Sequence, residues 1–277
     1  MTLATVMVSL AFDASNDARL EVAGQLTERF DAGIVGIAAA QFSPPLYFTT
    51  GQMAQDLIEQ GQESIRERLA ELEAQFRRTI KNRAKSVEWR CALDFPTRFV
   101  LQQARCADIV VTGGPSPAFS DAFALARPKD LVMQTGRPLL IVPDGASWLD
   151  LRTVLVAWKD TSEARRAIAD SLPLLRQAKT IVVSEIPEAR GEQSSAVARV
   201  DDVVAWLARH GLIASARVPE RSDGTDTMQR LDNIANDLDA GLIVAGAYGH
   251  SRFRELVLGG MTQHLVTQSV RCVLLSH

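Results

Sequence analysis

Ala240-Gly241-Leu242-Ile243-Val244-Ala245-Gly246 decides the fold, because the chain carries a matching phrase earlier, Ala107-Asp108-Ile109-Val110-Val111-Thr112-Gly113. Each is a short, nearly unbroken apolar run, rich in β-branched residues and ending on glycine. Such a run suits a parallel strand covered on both faces, whereas a half-solvated strand alternates apolar and polar residues. Toward the N-terminus each run has an opening partner. Val6-Met7-Val8-Ser9-Leu10 leads to Asp13-Ala14-Ser15, and Val154-Leu155-Val156-Ala157-Trp158 leads to Asp160-Thr161-Ser162. Arg19 and Arg166 lie six residues beyond Asp13 and Asp160 respectively. Ser15, and Thr161 or Ser162, are placed to cap a first helical turn by accepting an orphan backbone N–H. Toward the C-terminus, Gln134-Thr135-Gly136-Arg137-Pro138-Leu139-Leu140-Ile141-Val142 matches Gln268-Ser269-Val270-Arg271-Cys272-Val273-Leu274-Leu275. Three landmarks in the same order mark a duplication.

Pro143-Asp144-Gly145-Ala146-Ser147 is rich in turn formers and reads as the linker. It divides the chain into domains 1–144 and 151–277. The expected strands of the first copy are 3–10, 33–39, 86–91, 108–112 and 139–142. Those of the second are 153–158, 180–186, 213–218, 241–245 and 272–276. Helices fall between them. Residues 53–81 form a long amphipathic stretch with Leu57, Ile65, Leu69, Leu72 and Phe76 toward one side, and 164–177 and 196–209 are shorter versions. Strands alternating with helices predict right-handed βαβ units. The fold class is therefore α/β: two tandem Rossmann-like domains, each a five-stranded parallel sheet flanked by helices.

The totals agree with two small domains. The 277 residues are 47% hydrophobic and 23% charged, the balance of an ordinary globular protein. A net charge of -3 supplies no basic field, so neither nucleic acid nor a membrane is an expected partner. The opening Met1-Thr2-Leu3-Ala4-Thr5-Val6-Met7-Val8 reads as a strand rather than a signal peptide. Cys91, Cys106 and Cys272 form no Cys-x-x-Cys and are odd in number. Reduced, mostly buried thiols in a cytoplasmic protein are expected, with no disulfide and no zinc site.

The segment from Gly246-Ala247-Tyr248-Gly249-His250-Ser251-Arg252 to Gly259-Gly260-Met261-Thr262 runs from a strand's carboxyl end into a helix that starts near Met261. Gly246 and Gly249 permit positive φ and close approach of a ligand. Gly259 and Gly260 bring a second bend to the helix start, where unpaired N–H groups and the helix dipole favour phosphate. Thr262 and Ser251 add hydroxyls, and His250 and Arg252 add N–H donors. From the residues alone, the same glycines also serve as plain turns. Asp160 and Asp13 either orient a ribose or cap helices, and Lys159 either meets a phosphate or lies in solvent. The sequence offers no Ser/His/Asp set, no metal-ligand spacing and no Walker lysine loop. No residue is assigned a catalytic or metal-binding role.

With this segment the chain resembles the universal stress proteins. Their C-terminal half carries Gly-x2-Gly-x9-Gly-Ser/Thr around adenine-nucleotide phosphates. Gly246, Gly249 and Gly259 match the three glycines, Gly260 stands where Ser or Thr is usual, and Thr262 follows two residues later. The resemblance spans the whole chain, as a tandem two-domain member with folds akin to the adenine nucleotide alpha hydrolases. It implies ATP or a related adenine nucleotide in the second domain, with Mg2+ only alongside ATP. The residues expected to contact it are Asp160, Thr161, Gly246, Gly249, His250, Ser251, Gly259, Gly260 and Thr262. It also implies that the two closing strands pair within the chain, in a pseudo-two-fold arrangement, so that a homodimer would use other surface.

Two departures stand out. The family often has Asp directly after the first strand; here Lys159 takes that place in the second copy, followed by Asp160, and the first copy has an extra residue, Ala11-Phe12-Asp13. The first copy also lacks the loop. After Gly113 and Gly114 it reads Pro115-Ser116-Pro117, and Leu125-Ala126-Arg127-Pro128 stands where Gly259 to Thr262 would be. Prolines remove N–H donors, so no phosphate is expected there. A scaffold or small-ligand regulatory module without nucleotide is the second reading, favoured by Lys159. A slow ATPase is the third, with no general base identified.

Overall fold

The computed structural model describes residues 2–43, 51–114, 123–187, 191–220, 226–248 and 260–277. From the N-terminus the elements are β1 (Thr5–Ser9), α1 (Asp17–Phe30), β2 (Gly33–Ala39), α2 (Gly51–Ile80), β3 (Val87–Ala92), α3 (Pro96–Gln103), β4 (Ile109–Gly113), α4 (Pro128–Gln134) and β5 (Leu139–Val142). The second copy gives β6 (Thr153–Ala157), α5 (Ser162–Leu175), β7 (Thr180–Ser184), α6 (Gln193–Arg209), β8 (Ser215–Ala216), α7 (Thr227–Asp237), β9 (Leu242–Gly246), α8 (Gly260–Thr267) and β10 (Cys272–Ser276). No helix among the described residues is long and apolar enough to cross a membrane.

The chain forms two compact units. The first is Leu3–Arg137 with Asp144–Trp148; the second joins Pro138–Pro143 to Leu149–His277. In the first unit β3, β2, β1 and β4 lie in that order, all parallel. Its central strands carry the continuous apolar runs, and Val6, Met7 and Val8 are fully buried. Covering on both faces is what such runs require. The edge strand β3 reads Val-Glu-Trp-Arg-Cys-Ala and is mostly open, which leaves Cys91 exposed rather than buried. On α2, Ile65, Leu69, Leu72, Phe76 and Ile80 form the buried stripe, while Leu57 is only partly covered.

In the second unit the order is β5-β10-β9-β6-β7-β8. The last five strands are parallel, and β5 runs antiparallel to β10, with Val273 opposite Ile141, Leu274 opposite Leu140 and Leu275 opposite Leu139. The closing strand of the first sequence repeat thus belongs to the compact unit of the second. Leu139, Leu140, Leu274 and Leu275 are all fully buried, so this antiparallel seam is core rather than rim. At the far edge β8 keeps only two of the six residues expected, and Ile213 is 92% exposed. Both of its residues are exposed, so little apolar burial supports the pairing of this edge strand.

The caps refine the repeat. Thr161 caps α5 and accepts from the Ala164 N–H at 3.3 Å. The cap of α1 is Asn16, not Ser15; Asn16 bonds both the N–H and the C=O of Ala11, at 2.8 and 2.9 Å, and so ties the preceding loop. Both helices have 14 residues, so aligning their starts places Arg19 opposite Ala164, not opposite Arg166. The first copy's loop, 10–16, exceeds its counterpart, 158–161, by three residues rather than the one expected from sequence.

Candidate functional site

A cavity of about 420 Å³ opens in the second unit at the carboxyl ends of β6, β7 and β9, bounded by the starts of α5 and α8 and by α6 and α7. Carboxyl ends of parallel strands are where open α/β sheets bind ligands, because loops there diverge. Asp160, Thr161, Gly246, Gly260 and Thr262 all line it, so five of the nine expected residues converge on one space. Gly249, His250, Ser251 and Gly259 lie outside the described residues, as does Arg252.

Each of the five has a definable task. Thr161 is 4% exposed and spends its oxygen on the cap of α5. Asp160 pairs with Arg165 at 2.5 Å, and both side chains are at least half exposed. Gly246 does not use positive φ. It is glycine because a Cβ there would lie 2.4 Å from the Ala164 backbone nitrogen and 2.7 Å from the Glu163 carbonyl carbon. The left-handed residue of this turn is Tyr248 instead, at φ 59°. Thr262 is 5% exposed, and its oxygen accepts from the Tyr248 N–H at 3.2 Å. That bond ties the turn after β9 to the first turn of α8.

Gly260 contrasts with Gly246. Among the described residues, a Cβ at Gly260 would meet only the Met228 side chain, at an ordinary contact distance of 3.8 Å. No described residue crowds the first turn of α8, where a helix start leaves N–H groups without partners in the helix.

The opposite end of the cavity was not legible from motif spacing. Trp158 follows β6, Ser184 ends β7, and Glu185 and Ile186 follow it. Arg199 reaches in from α6, and its Nε contacts both Glu185 carboxylate oxygens, at 3.0 and 3.1 Å, with Nη2 also on Oε1. Glu185 is only 7% exposed. Its carboxylate, as the main hydrogen-bond partner, raises the Arg199 pKa above the usual guanidinium value. Nothing in the sequence marked Glu185, or a helix residue 14 positions on as its partner.

The corresponding place in the first unit differs. Gly113 ends β4 as Gly246 ends β9. A Cβ at Gly113 would lie 2.2 Å from Nη2 of Arg19, a residue only 4% exposed. At the start of α4, Pro128 has no N–H, and the Arg127 N–H is spent on Thr97 Oγ1 at 3.0 Å. Pro115, Ser116 and Pro117 lie outside the described residues. Asp13 sits elsewhere, in a surface groove between the loop before α1 and α2. Among the described residues, no group of three or more His, Cys, Asp or Glu is placed to hold a metal ion.

No protein-family model and no curated protein sequence matches the chain. Solved structures do. A universal stress protein from Archaeoglobus fulgidus DSM 4304 superposes with a TM-score of 0.70 at 12% identity, covering 98% of this chain and 97% of that one. A protein of unknown function from Pseudomonas aeruginosa PAO1 gives 0.57 at 13% identity, covering 99% and 92%. A candidate universal stress protein from Pseudomonas aeruginosa UCBPP-PA14 gives 0.53 at 14% identity, covering 99% and 93%. At these identities the likeness is one of architecture, and it runs the full length: the chain has the α/β fold of a two-domain universal stress protein.

Proposed function

We propose that the chain is a tandem universal stress protein of the cytoplasm whose second unit binds ATP or a related adenine nucleotide. The observation that carries this reading is the uncrowded position of Gly260 on the cavity wall. At Gly246 backbone atoms fill the position of a side chain, whereas at Gly260 no described residue comes closer to it than 3.8 Å. A glycine at a helix start facing a cavity of about 420 Å³ leaves room for phosphate oxygens to approach N–H donors. The Thr262 hydroxyl adds a further donor. Gly249, His250, Ser251 and Gly259 would complete the phosphate contacts, and Mg2+ would enter only with ATP. Asp160 serves Arg165 here, so the ribose is left to other groups of the wall. Binding would act by favouring one conformational or assembly state over another. No residue is given a catalytic role.

Calorimetric titration with ATP, together with mass spectrometry of any ligand retained on purification, tests the reading. Gly260→Leu should weaken ATP binding by about tenfold or more while the melting temperature holds, because the new side chain enters the cavity rather than the core. Unchanged affinity in the folded variant rejects it. The second reading, a small-ligand module, is favoured by Lys159 in the place where the family often has Asp, and by the buried Glu185 carboxylate in the same cavity wall. A retained ligand without phosphate would select it.

A further inference from the structure

The turn after β9 stands in a conformation that its sequence disfavours. Tyr248 has φ 59°, in the left-handed region, where Cβ crowds the following carbonyl oxygen. Among the described residues, the other non-glycine positions with positive φ are Asp31, Asn82 and Asp239. Asp and Asn tolerate that region; a bulky aromatic residue stays there only where its surroundings fix it. Three contacts hold this turn. The Ala247 N–H donates to Ser276 O on β10 at 2.8 Å, and His277 Nδ1 lies 3.0 Å from Ala247 O. The Tyr248 N–H donates to Thr262 Oγ1 at 3.2 Å. Of the three, only the last reaches α8, and it joins two residues that both line the cavity.

The first repeat lacks both members of this pair. Thr135 Oγ1 donates to Arg137 O as Ser269 Oγ donates to Arg271 O, which sets the register of the two helix ends. Counted back from there, Pro128 stands against Thr262, and counted on from Gly113 and Gly246, Pro115 stands against Tyr248. Proline has no N–H to donate, no hydroxyl to accept, and a φ fixed on the negative side. The tie thus belongs to the repeat that carries the glycine loop.

We infer that Thr262 is a positioning residue for the ligand: its oxygen holds Tyr248 in the left-handed turn, and that turn sets the cavity wall between β9 and α8. The inference rests on the nucleotide reading above. Without the bond, Tyr248 relaxes toward negative φ and the wall shifts with it.

The test is a rescue. Thr262→Val keeps the shape of the side chain and removes the acceptor. It should weaken ATP binding by about tenfold and lower the melting temperature, the scale of one lost hydrogen bond. Thr262→Ser keeps the oxygen and should stay within about threefold of wild type. Tyr248→Gly lets the turn form without help, because glycine enters the left-handed region at no steric cost. In that background Thr262→Val should weaken binding by no more than about threefold, and its melting-temperature loss should shrink in step. Where the glycine variant does not fold, Tyr248→Asn serves in its place. A Thr262 hydroxyl acting only on the ligand would cost the same factor in both backgrounds, and that result overturns the inference. So does a folded Thr262→Val with wild-type affinity, or a double variant that recovers in neither measurement. If the wild type itself binds no ATP, the nucleotide reading fails and the positioning of a nucleotide fails with it. The melting temperatures then still report whether Thr262 acts through Tyr248.

Discussion

The two units treat the same glycine in opposite ways. In the second, Gly246 admits the backbone of α5, whose Ala164 nitrogen lies 2.4 Å from where a Cβ would be. In the first, Gly113 admits a side chain, with the Arg19 guanidinium 2.2 Å from the equivalent point. Arg19 and Ala164 are the same position of the repeat when the helix starts are aligned. The longer loop 10–16 gives α1 the slack to stand back and accommodate the larger residue. Burial draws the Arg19 pKa down to about 10, opposed by the attraction of Asp144, and its hydrogen bond to Ser9 O is a long 3.4 Å. A strand-end glycine in a repeat is thus evidence of close packing first. It becomes evidence for a ligand only where, as at Gly260, no described residue crowds the position.

The harshest way to break the comparison is to attack what sets the second unit apart, its borrowed strand β5. Leu274 is fully buried opposite Leu140. Leu274→Lys places an unpaired charge in that seam and should cost about 3–5 kcal/mol, the scale for an uncompensated buried charge. Urea melts should show a large fall in midpoint, with binding of a hydrophobic dye at low denaturant. A stability within about 1 kcal/mol of wild type would mean the seam contributes little.

A sharper cut runs through the two glycines. Gly246→Ala drives a methyl into backbone, which can yield only if α5 moves, and should cost about 2–3 kcal/mol. Gly113→Ala meets the far end of a long side chain, which can swing, and should cost about 1 kcal/mol. Equal losses in parallel denaturation curves would dissolve the distinction between a glycine kept for a helix and one kept for a side chain.

The sequence made the architecture legible because parallel strands buried on both faces must be continuous apolar runs. Val6 to Val8, Ile109 to Val111 and Leu242 to Val244 carry that signal and are buried as it requires. The edge strands, with little apolar burial, blurred, which is why β8 shrank and Cys91 came out exposed. The helix-start half of the site was readable because Gly260 and Thr262 sit at fixed offsets in a turn. Gly246 was found for the wrong reason, since its constraint is packing against Ala164 rather than backbone freedom. The other half was hidden because Glu185 and Arg199 meet through tertiary packing. A helix must first be laid over β7 before residues 14 apart become neighbours.

The gentlest test compares an edge with a centre through the cysteines. Cys91 lies exposed on β3, at the edge of the first unit, while Cys272 lies buried on β10, between β5 and β9. No disulfide joins the three thiols, so Cys91 should react promptly with a thiol reagent at pH 8 and Cys272 only on unfolding. Burial pushes the Cys272 thiol pKa up to about 12, from an ordinary thiol value of 9.0. In the unfolded chain this thiol loses its proton near the lower value, while the native one keeps it. Between those two values the native state therefore binds more protons, and stability falls as pH rises, by at most about 1.4 kcal/mol per pH unit. Below the lower value the thiol is protonated in both states and contributes no slope. Cys272→Ala removes this dependence at a small fixed packing cost, so the stability gap between wild type and variant should narrow from pH 9 upward. Curves that stay parallel through pH 11 would mean that the Cys272 thiol ionises without leaving the sheet.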